Sequence, residues 1–254
     1  MSHNKITYHL SDGVYISLFE NMVIFLDLNK DRYSALTPPE TASILPFLSV
    51  HKDVLHPSAV SALRKARVTP LMAGNAQTQD GEALAHHLVD EGLLTSNPTG
   101  KPARPISLPM PSEDLSGYDF DRTPKIRAGH VFNFFRATIS AYAALRFMST
   151  KKVVTSVSQR RKQSRKKSTG SQSDARDLME IFKILRPLFF TSQNHCFFDS
   201  LSLLKFMELH GVYPNWVFGV KLRPFGAHCW VQDNDFVYND SLQHVRAFSP
   251  IMSA

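Results

Sequence analysis

Six prolines fall within 30 residues near the middle of the chain, and they restrict its fold more than any other feature. Proline lacks a backbone N–H and fixes φ, so a segment this rich in proline cannot continue a helix or a central strand. Residues 97–125 therefore predict a linker, stiffened where the prolines are dense. This linker separates a predicted domain at 1–96 from a second at 126–254. The six are Pro98, Pro102, Pro105, Pro109, Pro111 and Pro124.

The segment before the linker predicts three strands followed by three helices, which is an α+β arrangement. Thr37 and Glu40 have the spacing of a capping box, with two prolines in the first helical turn. Alternating or continuous apolar residues predict strands around 14–18, 22–28 and 32–36. The helices are predicted after Thr37, near 58–67 and at about 80–91.

The segment after the linker predicts helices first and then a sheet, which is again an α+β arrangement. Apolar residues at helical spacing predict helices at about 131–145 and 174–188. A third helix is predicted to begin at Cys196 and to end at Gly211. Strands are predicted at 216–222, 227–232 and 236–239.

The net charge of +7 comes from one short block. Residues 151–170 contain eight Lys and Arg and no acidic residue, which leaves the other 234 residues at −1. The block is also rich in Ser and Gln and predicts a solvated loop inserted into the C-terminal domain. Because the charge is local, it does not favour a nucleic-acid-binding function for the chain as a whole.

Nothing in the sequence predicts a membrane span or a secretion signal. No run of about 18 apolar residues is present, and the first ten residues lack the apolar core of a signal peptide. The chain contains only two cysteines. So few cysteines without a secretion signal lead us to expect a cytoplasmic protein. In that reducing compartment a cysteine is more often catalytic or buried than part of a disulfide.

Cys196, His228 and Asp240 occupy positions that suit nucleophilic catalysis. Cys196 opens a predicted helix, whose unpaired N–H groups and dipole stabilise a thiolate. His228 lies early on a hairpin strand and Asp240 at the end of the next, so they can be cross-strand neighbours. Such an imidazole takes the thiol proton and returns it to a leaving amine, while the carboxylate fixes its tautomer. The backbone N–H of Cys196 and the side chain of Gln193 are candidate oxyanion donors.

Other interpretations apply to each residue taken singly. A cysteine is more often a small buried apolar residue than a nucleophile. Cys229 is adjacent to His228 and is expected to point to the opposite face of the strand, as packing. The pairs His195-Cys196 and His228-Cys229 also raise a zinc site. Structural zinc ligands are usually spaced by two to four residues, so no metal site is predicted, and the other histidines, His244 included, show no ligand spacing.

Four motifs surround these residues: Cys196-x-x-Asp199-Ser200-Leu201, Gly219-Val220, Pro224-Phe225-x-Ala227-His228-x-Trp230-Val231 and Asn239-Asp240-Ser241. They resemble the lasso-peptide B proteins, transglutaminase-like cysteine peptidases that remove the leader from a lasso precursor. The resemblance covers about the last 60 residues closely. Near the N-terminus, Phe-Leu-Asp-Leu at 25–28 and Asp-Arg-Tyr-x-x-Leu at 31–36 are similar to the PqqD-like winged-helix domain that recognises leaders in peptide-modifying systems.

The resemblance implies a role for each part of the chain. Cys196 would be the nucleophile, His228 the base and then the acid, and Asp240 the orienting carboxylate, in a transglutaminase- or papain-like α+β domain. The N-terminal domain would add the leader as a strand to a sheet edge. The released core peptide would pass to an ATP-dependent, asparagine-synthetase-like cyclase, while the peptidase itself would need no cofactor. The leader groove would include Arg32, Tyr33, Leu36, Leu84 and Leu88, each of which also suits ordinary core packing.

Two other functions stay open. Three helices, a sheet and a basic block also suit a winged-helix nucleic-acid-binding protein, although the predicted helices carry few basic residues. A transglutaminase-like acyltransferase would use the same three residues to transfer the acyl group to an amine. Hydrolysis adds water across the cleaved bond, whereas transfer leaves a new amide, so product mass separates these two reactions.

Overall fold

The computed structural model describes residues 7–19, 21–49, 76–115, 124–164, 172–189, 196–233 and 235–254, and every structural statement below concerns these residues. The chain divides into two compact units. Unit one comprises residues 1–107 with 249–252, and unit two comprises 108–248 with 253–254. The predicted helix at 58–67 and the oxyanion candidate Gln193 lie outside the described residues.

The three strands predicted at the start of unit one are confirmed. They form an antiparallel sheet in chain order, in which Val14 and Ile16 are buried on one face because alternate side chains of a strand share a face. A shorter pair of strands, one before and one after the helices, is also antiparallel. The strands are β1 (His9–Leu10), β2 (Val14–Phe19), β3 (Met22–Asp27), β4 (Arg32–Ala35) and β5 (Leu94–Thr95).

Two helices complete the core of unit one within the described ranges. α1 (Pro38–Ile44) starts with the predicted capping box, since the Glu40 carboxylate accepts the backbone N–H of Thr37 at 2.8 Å. α2 (Ala76–Asp90) begins four residues earlier than predicted and ends before Gly92, whose φ of 75° favours glycine. A 3-10 turn (Leu45–Phe47) follows α1. The core of this unit includes Val14, Val23, Phe25, Ile44 and Leu88.

Unit two contains the predicted helices in a shared aromatic core. Phe134 lies between Phe182 and Phe206, with ring centroids 5.4 and 6.4 Å apart, so three helices meet at one side chain. No described helix of either unit combines the length and hydropathy that a bilayer span requires. The helices are α3 (Ala128–Phe147), α4 (Thr150–Ser164), α5 (Gln172–Leu185) with a 3-10 turn (Arg186–Leu188), and α6 (Cys196–Glu208).

The prediction of a solvated loop for the basic block is wrong for its described part, because α4 covers residues 150–164. Val153 and Val154 of α4 are buried, which gives the helix an apolar side. Arg160 forms an ion pair with Glu208 at 3.2 Å, and Nε of Arg161 donates to the carbonyl of Tyr213 at 3.2 Å. The high count of lysine and arginine obscured this amphipathic pattern.

The sheet of unit two is an antiparallel hairpin extended by short strands. β7 pairs with β8 along its whole length, β9 pairs with the end of β8, and β6 pairs in parallel with β9. The last strand, β10, is divided between the two units, and the backbone of Ala254 after it exchanges hydrogen bonds with Trp216 at 2.9 and 3.1 Å. The elements are β6 (Glu113–Asp114), β7 (Asn215–Leu222), β8 (Phe225–Asp233), β9 (Phe236–Val237), α7 (Leu242–Val245) and β10 (Ser249–Ser253).

Part of the proline-rich stretch forms hydrogen bonds with unit two. The carbonyl of Pro109 accepts from Nε2 of Gln232 at 2.9 Å. Asp114, in the edge strand β6, accepts the backbone N–H of Leu242 at 2.6 Å. An edge strand is a position that tolerates neighbouring prolines, since one side of it makes no ladder hydrogen bonds. This part of the predicted linker therefore contributes to the fold of unit two.

Candidate active site

Cys196 is the first residue of α6, as predicted. The helix start is fixed against β7, because the ring of Phe197 lies 4.8 Å from that of Trp216 and 5.8 Å from that of Phe218. The first backbone N–H groups of a helix have no partner within the helix, and together with the helix dipole they stabilise an anion. The fold thus places the Cys196 thiol where a thiolate is favoured.

His228 and Asp240 meet as predicted, although by a different route. Nε2 of His228 hydrogen-bonds to Oδ2 of Asp240, and both side chains are only 15% exposed. β9 ends at Val237, so Asp240 lies beyond the ladder and is not a cross-strand partner of His228. A turn before α7 positions it instead, with Oδ1 accepting the backbone N–H of Ser241 at 2.7 Å.

Gly219 lies opposite His228 in the β7–β8 ladder and leaves space for the rings around the histidine. A Cβ at Gly219 would lie 2.8 Å from a ring atom of Trp230 and 2.9 Å from Cβ of Phe248. The Trp230 ring is stacked on that of His228 at 6.0 Å, and the Phe248 ring lies 5.2 Å from it. A side chain at Gly219 would therefore displace the groups that hold the imidazole in place.

Cys229 does more than pack. It is 2% exposed, and Ser200 donates to its carbonyl oxygen at 3.1 Å. Ser200 comes one helical turn after Cys196, so its hydrogen bond to Cys229 holds the first turn of α6 against β8. The Cys229 thiol lies 3.9 Å from Oγ of Ser200, as a donor to it, and its presence beside Cys196 lowers the pKa of the Cys196 thiol. The expectation that Cys229 is packing alone is therefore corrected, since it also affects the pKa of the nucleophile.

The pKa values of Cys196 and His228 move in opposite directions. The hydrogen bond from Cys229 is the largest cause that lowers the pKa of Cys196 to about 4; burial opposes it, and the hydrogen bond and charge of His228 add to it. Burial works against a charged His228, but its bonds to Asp240 and Cys196 outweigh burial and raise its pKa to about 9. Burial raises the pKa of the Cys229 thiol. A thiolate at Cys196 and an imidazolium at His228 therefore coexist near neutral pH.

His244 is a second imidazole on the same carboxylate, although the sequence shows no ligand spacing that predicts a role for it. Its Nδ1 lies 2.9 Å from Oδ2 and 3.0 Å from Oδ1 of Asp240. Ser241 caps α7 and accepts the backbone N–H of His244 at 3.2 Å, which turns the ring back toward Asp240. Burial would raise the pKa of Asp240, but hydrogen bonds from His228, His244 and the Ser241 N–H hold it below its usual range. The Asp-Ser-x-x-His spacing of a capped turn is the signal that identifies this residue.

A buried polar network ties α6 to the segment that carries the triad aspartate. Nδ2 of Asn239 donates to Oδ2 of Asp199 at 3.0 Å and to Oγ of Ser200 at 3.1 Å. Arg186 pairs with the other Asp199 oxygen at 3.3 Å. Burial raises the pKa of Asp199 despite these two partners. In the sequence, Asp199 and Asn239 are recognisable only as parts of motifs. A polar residue on a buried helix face, such as Asp199, is the signal for their structural role.

One group of side chains in the described part of the chain has the spacing of a metal site. Ligand atoms of His228, Asp240 and His244 all lie within 4.8 Å of one another. The zinc pairs that the sequence suggests, His195-Cys196 and His228-Cys229, share only His228 with this group. His195 lies outside the described ranges, and Cys229 is directed at Cys196 and Ser200.

The residues implied in leader binding lie in unit one, mostly in its core. Leu36 and Leu88 are 7% and 4% exposed, and Leu84 packs against the same core. Arg32 and Tyr33 lie on β4, the last strand of the three-stranded sheet, and Arg32 forms an ion pair with Glu91. Contact with a leader peptide stays a prediction for all five.

Residues 139–253 match a family model described as the transglutaminase-like superfamily. The match includes Cys196, His228 and Asp240, and the helices and sheet of unit two agree with it as a mixed α and β domain. The C-terminal part of the chain is therefore a transglutaminase-like domain, a class that includes cysteine peptidases and acyltransferases. No curated protein and no solved structure gives a significant match to the chain.

Proposed function

We propose that this protein is a cysteine endopeptidase that removes the leader from a lasso-peptide precursor. The observation that supports the peptidase activity is the Cys196–His228–Asp240 arrangement at the start of α6, within a transglutaminase-like domain. The precursor class rests on the resemblance of the Pro-Phe-x-Ala-His-x-Trp-Val and Asn-Asp motifs to the lasso-peptide B proteins.

The geometry supports a two-step hydrolysis. The Cys196 thiolate attacks the scissile carbonyl carbon, and the backbone N–H of Cys196, with Gln193, stabilises the oxyanion. As the C–N bond breaks, His228 gives its Nδ1 proton to the leaving amine, while Asp240 holds Nε2. His228 then takes a proton from water, whose oxygen attacks the thioester, and the carboxylic acid leaves as Cys196 regains its sulfur electron pair. The net reaction adds one water across the peptide bond.

Unit one is proposed to hold the leader. β4 is the last strand of its three-stranded sheet, so an extended peptide can add to it through main-chain hydrogen bonds. Arg32 and Tyr33 on β4 offer a cation and a phenol for side-chain recognition. The proposed partners are the leader and an asparagine-synthetase-like cyclase that uses ATP. The peptidase itself is proposed to need no cofactor.

An acyltransferase is the second candidate, because the transglutaminase-like class contains both reactions. The same thioester would react with an amine in place of water and leave an amide. The nucleic-acid-binding alternative has less support, since Arg160 and Arg161 of the basic helix α4 are bonded within unit two. Mass spectrometry separates the first two outcomes by the presence or absence of an added water.

The test uses the purified full-length protein, its Cys196→Ala variant and a synthetic lasso precursor. Wild type should release leader and core with one water added, and the variant should leave the precursor intact while binding the leader as tightly as wild type. Loss of the nucleophile should lower kcat/KM by at least about 10⁴-fold. Asp235→Asn, at an exposed carboxylate of unit two, is the control for handling and folding. Undiminished cleavage by Cys196→Ala would sink the proposal.

A further inference from the structure

The carboxylate of Asp240 accepts hydrogen bonds from two imidazole rings, which is one more than a catalytic triad needs. Nε2 of His228 and Nδ1 of His244 both reach Oδ2, the latter at 2.9 Å. The two ring centroids lie 4.7 Å apart. Two nitrogen ligands and one oxygen ligand therefore lie within 4.8 Å of one another.

We propose that His228, Asp240 and His244 form a binding site for a divalent transition-metal ion of the Zn²⁺ type, and that the bound ion inhibits the enzyme. Imidazole nitrogen and carboxylate oxygen are preferred ligands of Zn²⁺ and of its neighbours in the first transition row. The negative charge of Asp240 offsets part of the charge of the ion. Binding is independent of the proposed peptidase function, whereas inhibition rests on it.

The ligand atoms fit this ion once they move apart from their hydrogen-bonded positions. Zn–N and Zn–O bonds are about 2.0–2.2 Å, so tetrahedral ligand atoms lie roughly 3.3–3.5 Å apart. The 2.9 Å between His244 Nδ1 and Asp240 Oδ2 must then open by about half an ångström. The shorter hydrogen bond from His228 Nε2 to the same oxygen must open further. The His244 side chain is 48% exposed, which gives the ion a path from solvent and leaves a fourth position for water.

Coordination replaces the hydrogen bonds of the site. A nitrogen that binds the ion uses its lone pair, so the hydrogens now directed at Asp240 leave Nε2 of His228 and Nδ1 of His244. His228 then keeps only its Nδ1 hydrogen, toward Cys196, and loses the orienting carboxylate. It can no longer alternate between base and acid, so the ion stops acyl transfer without covering the sulfur.

Binding is tested by titrating full-length protein with Zn²⁺ in a calorimeter and with Co²⁺ in a visible spectrometer. Wild type should bind one ion, with Co²⁺ absorption bands of a four-coordinate site and no thiolate charge-transfer band. His244→Asn should weaken binding by about tenfold or more, the size of effect typical when metal-site partners are removed. His87→Asn, at an exposed histidine of α2, should bind as wild type does, and so should Cys196→Ala. Unchanged affinity in His244→Asn, or binding abolished in Cys196→Ala, would overturn the site.

Inhibition is measured separately, as precursor cleavage against free Zn²⁺ concentration, with each variant compared with its own metal-free rate. The concentration that halves the rate should rise about tenfold or more in His244→Asn and stay unchanged in His87→Asn. Addition of a chelator should restore the wild-type rate. A protein that binds the ion at this site and still cleaves at full rate refutes the inhibition. If no variant cleaves the precursor even without metal, the peptidase proposal fails while the binding result stands.

Discussion

The residues proposed for catalysis and those proposed for leader binding differ in how the fold holds them. Cys196 and His228 are partly buried and fixed by hydrogen bonds to other polar groups. Leu36 and Leu88 are fixed by the apolar core of unit one. Substitution in the first set should therefore change chemistry at nearly constant stability. Substitution in the second set should change stability before recognition can be measured.

The largest effect is expected for Asp240→Asn, which sharpens the catalytic side of this comparison. The amide keeps an acceptor oxygen for His228 but loses the negative charge that stabilises the imidazolium, so kcat should fall, by up to the roughly 10⁴-fold that this change costs in a Ser-His-Asp triad. Leader affinity should not change. Precursor cleavage followed by mass spectrometry measures the rate, with Asp235→Asn as the matched control. A loss below tenfold would show that Asp240 is not the orienting group.

Leu88→Ala tests the other side, where the expected loss is structural. Truncating a buried leucine costs about 2–5 kcal/mol of the free energy of unfolding. The two tryptophans, Trp216 and Trp230, both lie in unit two, so unfolding of unit one must be followed by far-UV circular dichroism. If Leu88→Ala keeps its free energy of unfolding but no longer binds the leader, Leu88 contacts the leader directly. The contrast drawn here between polar catalytic residues and apolar core residues would then be wrong.

The pH dependence of thiol alkylation probes the polar set alone. With the pKa of Cys196 at about 4, its reaction with iodoacetamide should be constant through neutral pH and fall tenfold per unit below pH 4. Cleavage should also fall above about pH 9, where His228 loses the proton that it gives to the leaving amine. Burial raises the pKa of Cys229, so one thiol per chain should react. A rise centred near pH 8.5, the value of a free thiol, would contradict the ion pair.

The smallest effect on stability is expected for Arg32→Ala in unit one. Its ion pair with Glu91 is exposed to solvent, with side chains 39% and 41% accessible, so its loss should leave the free energy of unfolding almost unchanged. Leader affinity, measured by fluorescence polarisation, should nevertheless fall if β4 receives the peptide. Lys101→Ala removes a cation from another exposed ion pair of unit one and is the control. Equal leader affinity in the two variants would remove Arg32 from the proposed groove.

Local patterns made much of the fold predictable. The capping box at Thr37 and Glu40 and the helix start at Cys196 depend on residues close in sequence, and both predictions are confirmed. The basic helix α4 was missed because its charges dominated its composition, although two adjacent valines supply its buried side. Helix propensity is a weak guide where the packing of a few apolar side chains determines whether a helix forms.

Contacts between distant elements were less predictable. The pairing of His228 with Asp240 was expected from strand register, but the structure makes it through the turn that begins at Ser241. The network of Asp199 and Asn239 joins residues 40 positions apart, and no local pattern reports such a distance. Cys229 illustrates the same limit, since alternation along a strand gives its face but not the helix residue that it meets.

Gly219 has a consequence for how sequence variation around this site is interpreted. Any side chain there would meet Trp230 and Phe248, so nearly every substitution should be lost in a mutational scan that selects for activity. The scan would give Gly219 the intolerance of a catalytic residue, although it donates no group to the reaction. A second scan that measures the abundance of each variant would distinguish a catalytic residue from Gly219. Variants of Asp240 should accumulate as folded protein, whereas variants of Gly219 should not.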